Sequence, residues 1–278
     1  MNTAHCPPIC PSVHLWFYQF LIKTNNPLRP LPKPSYPRKS SLTEFGPLDG
    51  ALLIDKPVGW TSHDVVAKVR GHFKLKKVGH SGTLDPNATG LLVLLLGKAT
   101  KLSNKLMADD KIYEGEVKFG ETTDSYDADG ELTGSLPVPP LTLDQINEQA
   151  KTFTGDQMQV PPMVSAVKKD GVPLYKLARK GKEVEREPKL IHVYKYAFDH
   201  YEEPLGRCTV VCTKGTYVRS LAHELGEKIG CGAHLSALRR TASGDLKVEQ
   251  ASLLDEILKL DAAGLEQKVI PILKLVQA

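Results

Sequence analysis

The sequence lacks the features that mark membrane proteins, zinc proteins and disulfide-stabilised proteins. No apolar run is long enough to span a bilayer. Its five cysteines form neither an even disulfide framework nor paired Cys-x-x-Cys motifs, which indicates a reducing compartment. The histidines lack metal-ligand spacing, since His223-Glu224 is not followed by the second histidine of a zinc-protease helix. We therefore expect no metal and no membrane association.

Acidic residues are absent from the first 43 residues, which carry five Lys or Arg and a cluster of prolines between Pro27 and Pro37. This composition is typical of an organelle transit peptide. We predict that residues 1–47 form a disordered leader that directs the protein to a plastid or mitochondrion. A misassigned start codon, which implies a cytoplasmic protein, is one alternative. A secretory signal is another, but no cation precedes the apolar segment 14–22.

The remaining composition is that of an ordinary globular protein, with 41% hydrophobic and 24% charged residues in a chain of 278. The net charge of +4 does not by itself indicate a nucleic-acid partner. Eight cations lie between residues 163 and 189, against four acids. Such a run is either a solvated face or a surface that follows phosphates. The cations are Lys168, Lys169, Lys176, Arg179, Lys180, Lys182, Arg186 and Lys189.

Hydrophobic patterning predicts strands at 50–55, 91–97, 112–119 and 208–212, and helices at 61–73, 143–153, 217–229 and 252–260. Thr61 and Asp64 form a predicted capping box, and the Asp- and Gly-rich segment 123–134 predicts a polar loop. The irregular alternation favours an α+β fold with a mixed, mainly antiparallel sheet flanked by helices. We predict a folded domain over 48–250, with a basic RNA-binding insertion at 155–190 and a short helical tail at 251–278.

Asp85 lies in a segment that restrains its backbone, residues 79–90, Gly-His-Ser-Gly-Thr-Leu-Asp-Pro-Asn-Ala-Thr-Gly. Pro86 biases Asp85 toward an extended conformation. The segment continues into the apolar stretch 91–97, so Asp85 is expected at the mouth of a rigid element. An ordinary Asp-Pro turn would be the alternative for an isolated motif.

Three further segments accompany this loop: Leu-Ile-Asp-Lys-Pro at 53–57, Asp-Lys-Ile-Tyr at 110–113 and Lys-Gly-Thr-Tyr-Val-Arg at 214–219. In this order and at these separations, the chain resembles the TruB family of tRNA pseudouridine synthases. The resemblance extends from about Gly50 to Val248. It also takes in the segments at 124–130, 161–166, 174–179 and 230–235.

The resemblance implies that a monomer converts uridine 55 in the T loop of tRNA to pseudouridine, without cofactor or metal. Breaking the C1′–N1 bond, turning the base and joining C1′ to C5 requires neither water nor redox change. One carboxylate can suffice, because the leaving group is also the returning nucleophile. The resemblance assigns this role to Asp85, as nucleophile on C1′ or as base at the sugar. Arg219 is implied to pair with Asp85 and hold it ionised, and Tyr113 to stack on the base and help remove the C5 proton.

The resemblance also implies residues that bind the substrate. Leu238 would form an apolar wall of the uracil pocket, Tyr217 would support the turn at Arg219, and His80 would fill the gap left by extruded nucleotides. Core packing is the alternative for Leu238, and a structural role for His80. The basic segment would hold the stem of the T arm. The implied binding residues are His80, Lys56, Tyr217, Leu238, Lys168, Lys169, Arg179 and Lys180.

The sequence is compatible with two other functions. The chain is alternatively a pseudouridine synthase for ribosomal or messenger RNA, or a non-catalytic chaperone that helps tRNA to fold. Bacterial family members usually carry a C-terminal RNA-binding domain of the PUA type. About thirty residues follow Val248, so we expect no such domain in this sequence.

Overall fold

The fold is built on one large sheet, seen in a computed structural model that describes residues 45–165, 167–169, 171–178, 181–182 and 184–277. The predicted leader therefore lies outside the described residues up to residue 44, and so do Arg179 and Lys180. The strands are β1 (Gly50–Lys56), β2 (Val78–His80), β3 (Thr89–Leu96), β4 (Lys111–Phe119), β5 (Glu121–Thr123), β6 (Leu132–Ser135), β7 (Gly155–Gln159), β8 (Lys168–Lys169), β9 (Val172–Pro173), β10 (Lys189–Glu202), β11 (Leu205–Cys212), β12 (Ala233–Ser243), β13 (Leu246–Lys247), β14 (Ser252–Leu253) and β15 (Ile270–Pro271).

Eleven strands form the main sheet, whose central order is β14-β1-β3-β12-β4-β11-β10-β7. The pairs β1–β14 and β3–β12 are parallel, whereas the other pairs in this sheet are antiparallel. Two short hairpins, β5–β6 and β8–β9, lie outside it. The predicted α+β fold with a mixed, mainly antiparallel sheet is confirmed.

Helices cover the sheet in separate groups. They are α1 (Ser62–His72), α2 (Ser103–Met107), α3 (Leu143–Lys151), α4 (Leu174–Ala178), α5 (Val218–Ile229), α6 (Leu254–Ile257), α7 (Ala262–Lys268) and α8 (Ile272–Gln277). Helices α3 and α5 pack with β4, β10, β11 and β12 in one core, and α1, α6 and α7 pack with β1 and β3 in a second. Tyr113 and Leu238 contact both cores, so they lie where the two halves of the sheet meet.

Local signals in the sequence placed several of these elements. Helix α1 begins with the predicted capping box, in which the Thr61 hydroxyl accepts from the Asp64 amide and Asp64 accepts from the Thr61 amide. The strands predicted at 50–55, 91–97, 112–119 and 208–212 are present, each with slightly different bounds. The helices predicted at 143–153 and 217–229 are present as α3 and α5.

Two predictions of local structure are only partly correct. The segment 123–134 is not a loop throughout, because β5 and β6 pair as a hairpin whose turn is closed by Asp124 and Glu131. The helix predicted at 252–260 is reduced to α6, because Ser252 and Leu253 pair with β1 as the short strand β14. This strand and β15 cover backbone groups of β1 that would otherwise be left unpaired.

Strands β10 and β12 were not predicted. In β10, Ile191, Val193, Tyr196 and Phe198 are buried, but a bulge between Val193 and Lys195 interrupts their alternation. Strand β12 carries irregularities on either side of Leu238. The insertion predicted at 155–190 begins with β7, which pairs with β10 in the main sheet, and continues through β8, β9 and α4.

Candidate active site

A cavity of about 630 Å³ opens between the Asp85 loop, strands β4 and β12, and the start of helix α5. The structure brings five of the predicted site residues to its wall, although they come from separate parts of the chain. These residues are Asp85, Tyr113, Tyr217, Arg219 and Leu238. A pocket lined by an acid, a cation and a phenol is the expected location of proton transfer or nucleophilic chemistry.

Asp85 and Arg219 form an ion pair at the base of this cavity. Nη2 of Arg219 lies 3.2 Å from Oδ2 of Asp85 and 3.4 Å from Oδ1. The Asp85 side chain is 40% exposed, whereas that of Arg219 is 4% exposed. Asp85 therefore remains accessible to a substrate, and its cationic partner is held behind it in the protein.

A second carboxylate, Asp127, shares the same guanidinium. Nη1 of Arg219 lies 3.2 Å from Oδ2 of Asp127, and the guanidinium also donates to the carbonyls of Ser125 and Val164, at 3.4 and 2.6 Å. Sequence reasoning included Asp127 in the family motif at 124–130 but did not assign it to the site. The planar fork of Arg219 thus fixes one accessible acid relative to one buried acid.

Tyr126 holds the turn that presents Asp127. Its φ of +66° is in the left-handed region, which is uncommon for a residue other than glycine. Its ring stacks on His223 of α5, with ring centroids 3.9 Å apart and an interplanar angle of 13°. Because His223 and Arg219 belong to the same helix, this contact sets the Asp127 turn against the helix that carries Arg219.

The start of α5 is fixed by contacts around Tyr217. The Tyr217 amide donates to Oε1 of Gln159 at 2.8 Å, and Nε2 of Gln159 donates to the Tyr217 carbonyl at 3.1 Å. The Tyr217 ring lies 5.7 Å from the Arg219 guanidinium. A cation in the first turn of a helix is disfavoured by the helix dipole, so its position reflects the two carboxylates rather than the helix.

Tyr113 and Leu238 also line the cavity, from the adjacent strands β4 and β12. Both are partly buried. Arg240, two residues after Leu238, pairs with Tyr113 across the two strands. The cavity that contains the Asp85–Arg219 pair thus also presents a phenol and an aliphatic side chain, which suits a flat, partly apolar ring such as uracil.

Two buried side chains, Ser62 and Lys56, support the backbone of the Asp85 loop. Ser62 of α1 exchanges hydrogen bonds with the Leu84 backbone, at 2.8 Å to its amide and 3.1 Å to its carbonyl. The Lys56 ammonium donates to the carbonyls of Pro57, Trp60 and Pro86, at 2.9, 2.6 and 3.1 Å. Lys56 is fully buried, so we reassign it from substrate binding to support of the loop.

Two family profiles match consecutive parts of this chain. A profile of the TruB family pseudouridylate synthase N-terminal domain matches residues 70–218. A profile of the tRNA pseudouridylate synthase B C-terminal domain matches residues 219–277. The chain belongs to the TruB family of pseudouridylate synthases. The predicted family membership and the prediction of an isomerase are confirmed.

Curated relatives of this TruB-family chain match most of its length. The protein named tRNA pseudouridine synthase B from Opitutus terrae is 54% identical over 225 residues, which cover 81% of this chain and 93% of that protein. The protein of the same name from Solibacter usitatus is 48% identical over 232 residues, covering 83% of this chain and 79% of that protein.

Solved structures share the fold. A chain of the crystal structure of a Cbf5-Nop10-Gar1 complex matches with a TM-score of 0.66 and 30% identity, over 83% of this chain and 62% of that chain. A structure of an H/ACA RNP bound to a substrate RNA containing 2′-deoxyuridine matches with a TM-score of 0.60 and 27% identity, over 81% and 59%. The TruB-family chain thus spans less than two thirds of each matched chain.

The other predicted binding residues lie away from this cavity or are not fully described. His80 is in β2, where its Nδ1 accepts from the Gly82 amide at 3.3 Å, and the cavity wall begins one residue later. Lys169 is exposed and donates to the Glu185 carbonyl at 2.8 Å. The backbone of Lys168 pairs with Pro173.

The described part of this TruB-family chain contains no group of three or more His, Cys, Asp or Glu side chains that could hold a metal ion. None of its described helices is long and apolar enough to cross a membrane.

The charge of Asp85 is set by opposing influences. Burial raises its pKa, and the nearby carboxylates of Asp127 and Asp129 raise it further, while Arg219 and Lys56 lower it; the net direction is upward. Burial also lowers the pKa of Lys56 to about 8. Arg219 thus limits the rise in the pKa of Asp85 without abolishing it.

This balance predicts a shifted acid limb in the pH profile. If the Asp85 carboxylate is required, a raised pKa means that activity is lost at a higher pH than for an ordinary aspartate as the solution is acidified. The Asp129→Asn variant removes one negative neighbour, so it should lower the pKa of Asp85 and move the acid limb of kcat/KM to lower pH. Asp144→Asn, an exposed acid on α3, is the matched control and should leave the limb in place. An unmoved limb in Asp129→Asn would contradict this balance.

Proposed function

We propose that this chain converts uridine 55 in the T loop of tRNA to pseudouridine, with Asp85 as the acting carboxylate. The observation that carries the proposal is the ion pair between accessible Asp85 and buried Arg219, in a cavity that Tyr113 also lines. The curated relatives bear the name tRNA pseudouridine synthase B, which supports tRNA as the substrate. One of the solved structures with the same fold is of an H/ACA RNP bound to a substrate RNA, which supports RNA as the class of substrate.

The proposed reaction uses each of these groups once. Asp85 attacks C1′ or removes a proton from the sugar, and the C1′–N1 bond breaks with its electron pair staying on the uracil. The uracil turns between Tyr113 and Leu238, and C5 then bonds to C1′. As this bond forms, either the Asp85–C1′ bond breaks and frees the carboxylate, or the sugar regains its proton from Asp85. Tyr113 removes the C5 proton, the electron pair of the C5–H bond restores the C5=C6 double bond, and N1 takes up a proton from solvent. Arg219 keeps the free carboxylate of Asp85 charged and oriented.

A nucleobase that is stacked in a folded RNA loop cannot reach Asp85, because Asp85 lines a cavity in the protein. The target nucleotide must therefore leave the stack, as it does in other enzymes that act on bases. A loop whose bases are already splayed requires less unstacking energy than a duplex, and a T loop is a substrate of this kind. This reasoning favours the T loop over a paired segment of ribosomal or messenger RNA.

A surface that we name the basic face leads from the cavity toward α1. Residues 65–108 contain eight Lys or Arg and one acid, Asp85. The Gly97 amide donates to the Lys77 carbonyl at 3.0 Å, which places the turn after α1 beside the segment that carries Lys101 and α2. Asn104 and Met107 of α2 line the cavity. The exposed cations of the basic face are Lys68, Arg70, Lys74, Lys76, Lys77, Lys98, Lys101 and Lys105.

We propose that the basic face holds RNA phosphates next to the target uridine, in addition to the stem contact predicted for residues 168–180. Replacing Lys77 and Lys101 together with Ala should raise KM and reduce the salt dependence of binding, by about 0.7 to 0.9 in the log–log slope per lost contact. We expect kcat to change little, because neither ammonium lines the cavity. Lys259→Ala with Lys268→Ala is the matched control, since both lysines are exposed on the C-terminal segment. Equal salt slopes in the two double variants would contradict the proposal.

We propose separately that residues 1–47 direct the protein to a plastid or mitochondrion. The support is compositional: no acid in the first 43 residues, together with five Lys or Arg. A fusion of residues 1–47 to a fluorescent protein should colocalise with an organelle marker in a plant or fungal cell. A fusion in which the five cations are replaced with Gln should stay in the cytosol. Diffuse fluorescence from the unchanged fusion would refute this proposal.

Release of tritium from tRNA labelled at uridine C5 tests the proposed function. We expect release from a tRNA transcript and loss of release when uridine 55 is replaced with cytidine. Binding without release would favour the tRNA chaperone. Release from ribosomal or messenger RNA, but not from tRNA, would favour the other substrates.

A further inference from the structure

Arg240 is a buried cation to which the proposed reaction assigns no role. It lies on β12 and is 2% exposed. Its Nε donates to the Leu91 carbonyl at 2.8 Å, and its Nη1 and Nη2 face the carbonyls of Thr83 and Gly82 at 3.5 and 3.2 Å. Gly82 and Thr83 precede Asp85, and Leu91 follows it. One guanidinium therefore ties together the two ends of the Asp85 loop.

The same residue is the direct neighbour of Tyr113. Arg240 pairs with Tyr113 in the antiparallel ladder of β12 and β4, so both side chains project from the same face of the sheet. The guanidinium is close enough to the phenol to act on its pKa, which it lowers. Both residues line the cavity that contains Asp85.

Gly90 allows β12 to approach the Asp85 loop this closely. It pairs with Arg240 in the parallel ladder of β3 and β12, and its φ is +93°. A Cβ atom at this position would lie 2.3 Å from the Arg240 carbonyl oxygen. The approach therefore depends on a position without a side chain, which indicates that the sequence is adapted to bring Arg240 to the loop.

We propose that Arg240 is a positioning residue that couples the Asp85 loop to Tyr113 and aims the phenol oxygen at C5 of the turned base. This inference rests on the proposed function, because it assigns the C5 proton to Tyr113. In that step the C5–H bond breaks and its proton passes to the phenolate form of Tyr113. The electron pair of the broken bond restores the C5=C6 bond, and N1 takes up one proton from solvent. The resulting phenol then returns its proton to solvent.

The positive charge of Arg240 acts on the pKa of Tyr113, which a neutral side chain at the same position would not do. The ionisable groups that act on Tyr113 are Arg240 on β12, Asp85 on its loop and Cys212 on β11. Burial, Asp85 and Cys212 raise the pKa of Tyr113, and Arg240 alone among these groups lowers it. Loss of the guanidinium would thus remove the one neighbour that favours the proton-accepting form.

A comparison of two substrates isolates the C5 step. A T-arm hairpin carrying uridine requires C1′–N1 cleavage, reattachment and loss of the C5 proton. The same hairpin carrying 5-fluorouridine requires only the first two, because fluorine at C5 leaves no proton to remove. The ratio of the two single-turnover rates therefore reports the proton step, and it does not depend on how much of a variant is folded.

We expect Arg240→Gln to lower the uridine to 5-fluorouridine rate ratio by about 10²-fold, the usual contribution of a positioned base. Arg240→Lys retains a cation beside Tyr113 and should lower the ratio less. Tyr113→Phe should lower the ratio as Arg240→Gln does, whereas Asp85→Asn should stop both reactions. The matched control is Arg239→Gln, since Arg239 is the adjacent residue, is 39% exposed and forms its ion pair with Asp55 instead.

A decrease of less than about tenfold in the ratio for Arg240→Gln would overturn the proposal, even if both rates fell, because a purely structural loss slows both substrates alike. Failure of the proposed function has a different signature: the unchanged protein would then form no pseudouridine in the uridine hairpin.

Discussion

Replacing Asp85 with Asn is expected to stop pseudouridine formation while leaving tRNA binding intact. The amide retains the shape of the carboxylate but carries no charge, so it neither attacks C1′ nor removes a proton from the sugar. Loss of nucleophilic or general-base help usually costs at least about 10²-fold in rate. The loop itself should persist, because Lys56, Ser62 and Arg240 hold its backbone rather than the Asp85 side chain.

Single-turnover pseudouridine formation and filter binding measure the two halves of this prediction. Asp144→Asn on α3 removes the same charge at an exposed position and should match the unchanged protein in both assays. Turnover by Asp85→Asn within about tenfold of the unchanged protein would remove Asp85 from the chemical step.

Arg219→Ala should lose both activity and stability, and Arg219→Lys should not restore activity. The guanidinium contacts two carboxylates and two carbonyls at once, which the three donors of an ammonium cannot reproduce. Removing it would leave Asp127, 10% exposed, without a cation, and a broken buried pair typically lowers the free energy of unfolding by about 3 kcal/mol. We expect kcat to fall by at least about 10²-fold in the lysine variant.

Urea unfolding separates the two effects of this substitution, because kcat is measured where each variant is fully folded. Arg207→Lys is the matched control: Arg207 pairs with Asp199, but both side chains are more than half exposed. Near-full activity of Arg219→Lys would show that Arg219 supplies only a counter-charge, and the planar clamp described above would then be wrong.

The sequence located the reacting groups because motif order carried that information. Asp85 and Arg219 are separated by 134 residues, and no local pattern brings them together. The resemblance to a family predicted that these two residues pair, and in the structure their side chains form an ion pair. Thr61 and Asp64 represent the opposite case, since a capping box is local and could be predicted from two residues.

The missed residues share a physical reason. Asp127 and Arg240 are charged, and a charge in a turn or strand ordinarily indicates a solvated position. Their burial follows from tertiary contacts, a shared guanidinium for Asp127 and three backbone carbonyls for Arg240. Lys56 was assigned to substrate binding because of the family resemblance. No sequence pattern shows that three backbone carbonyls accept hydrogen bonds from its ammonium.

Nucleotide-resolution mapping of pseudouridine in a T-arm hairpin tests the central claim most directly. The unchanged protein should convert a single uridine, the one equivalent to position 55, and the Asp85→Asn protein should convert none at equal concentration. Pseudouridine at another uridine, or equal conversion by both proteins, would contradict the assignment of substrate or of the acting carboxylate.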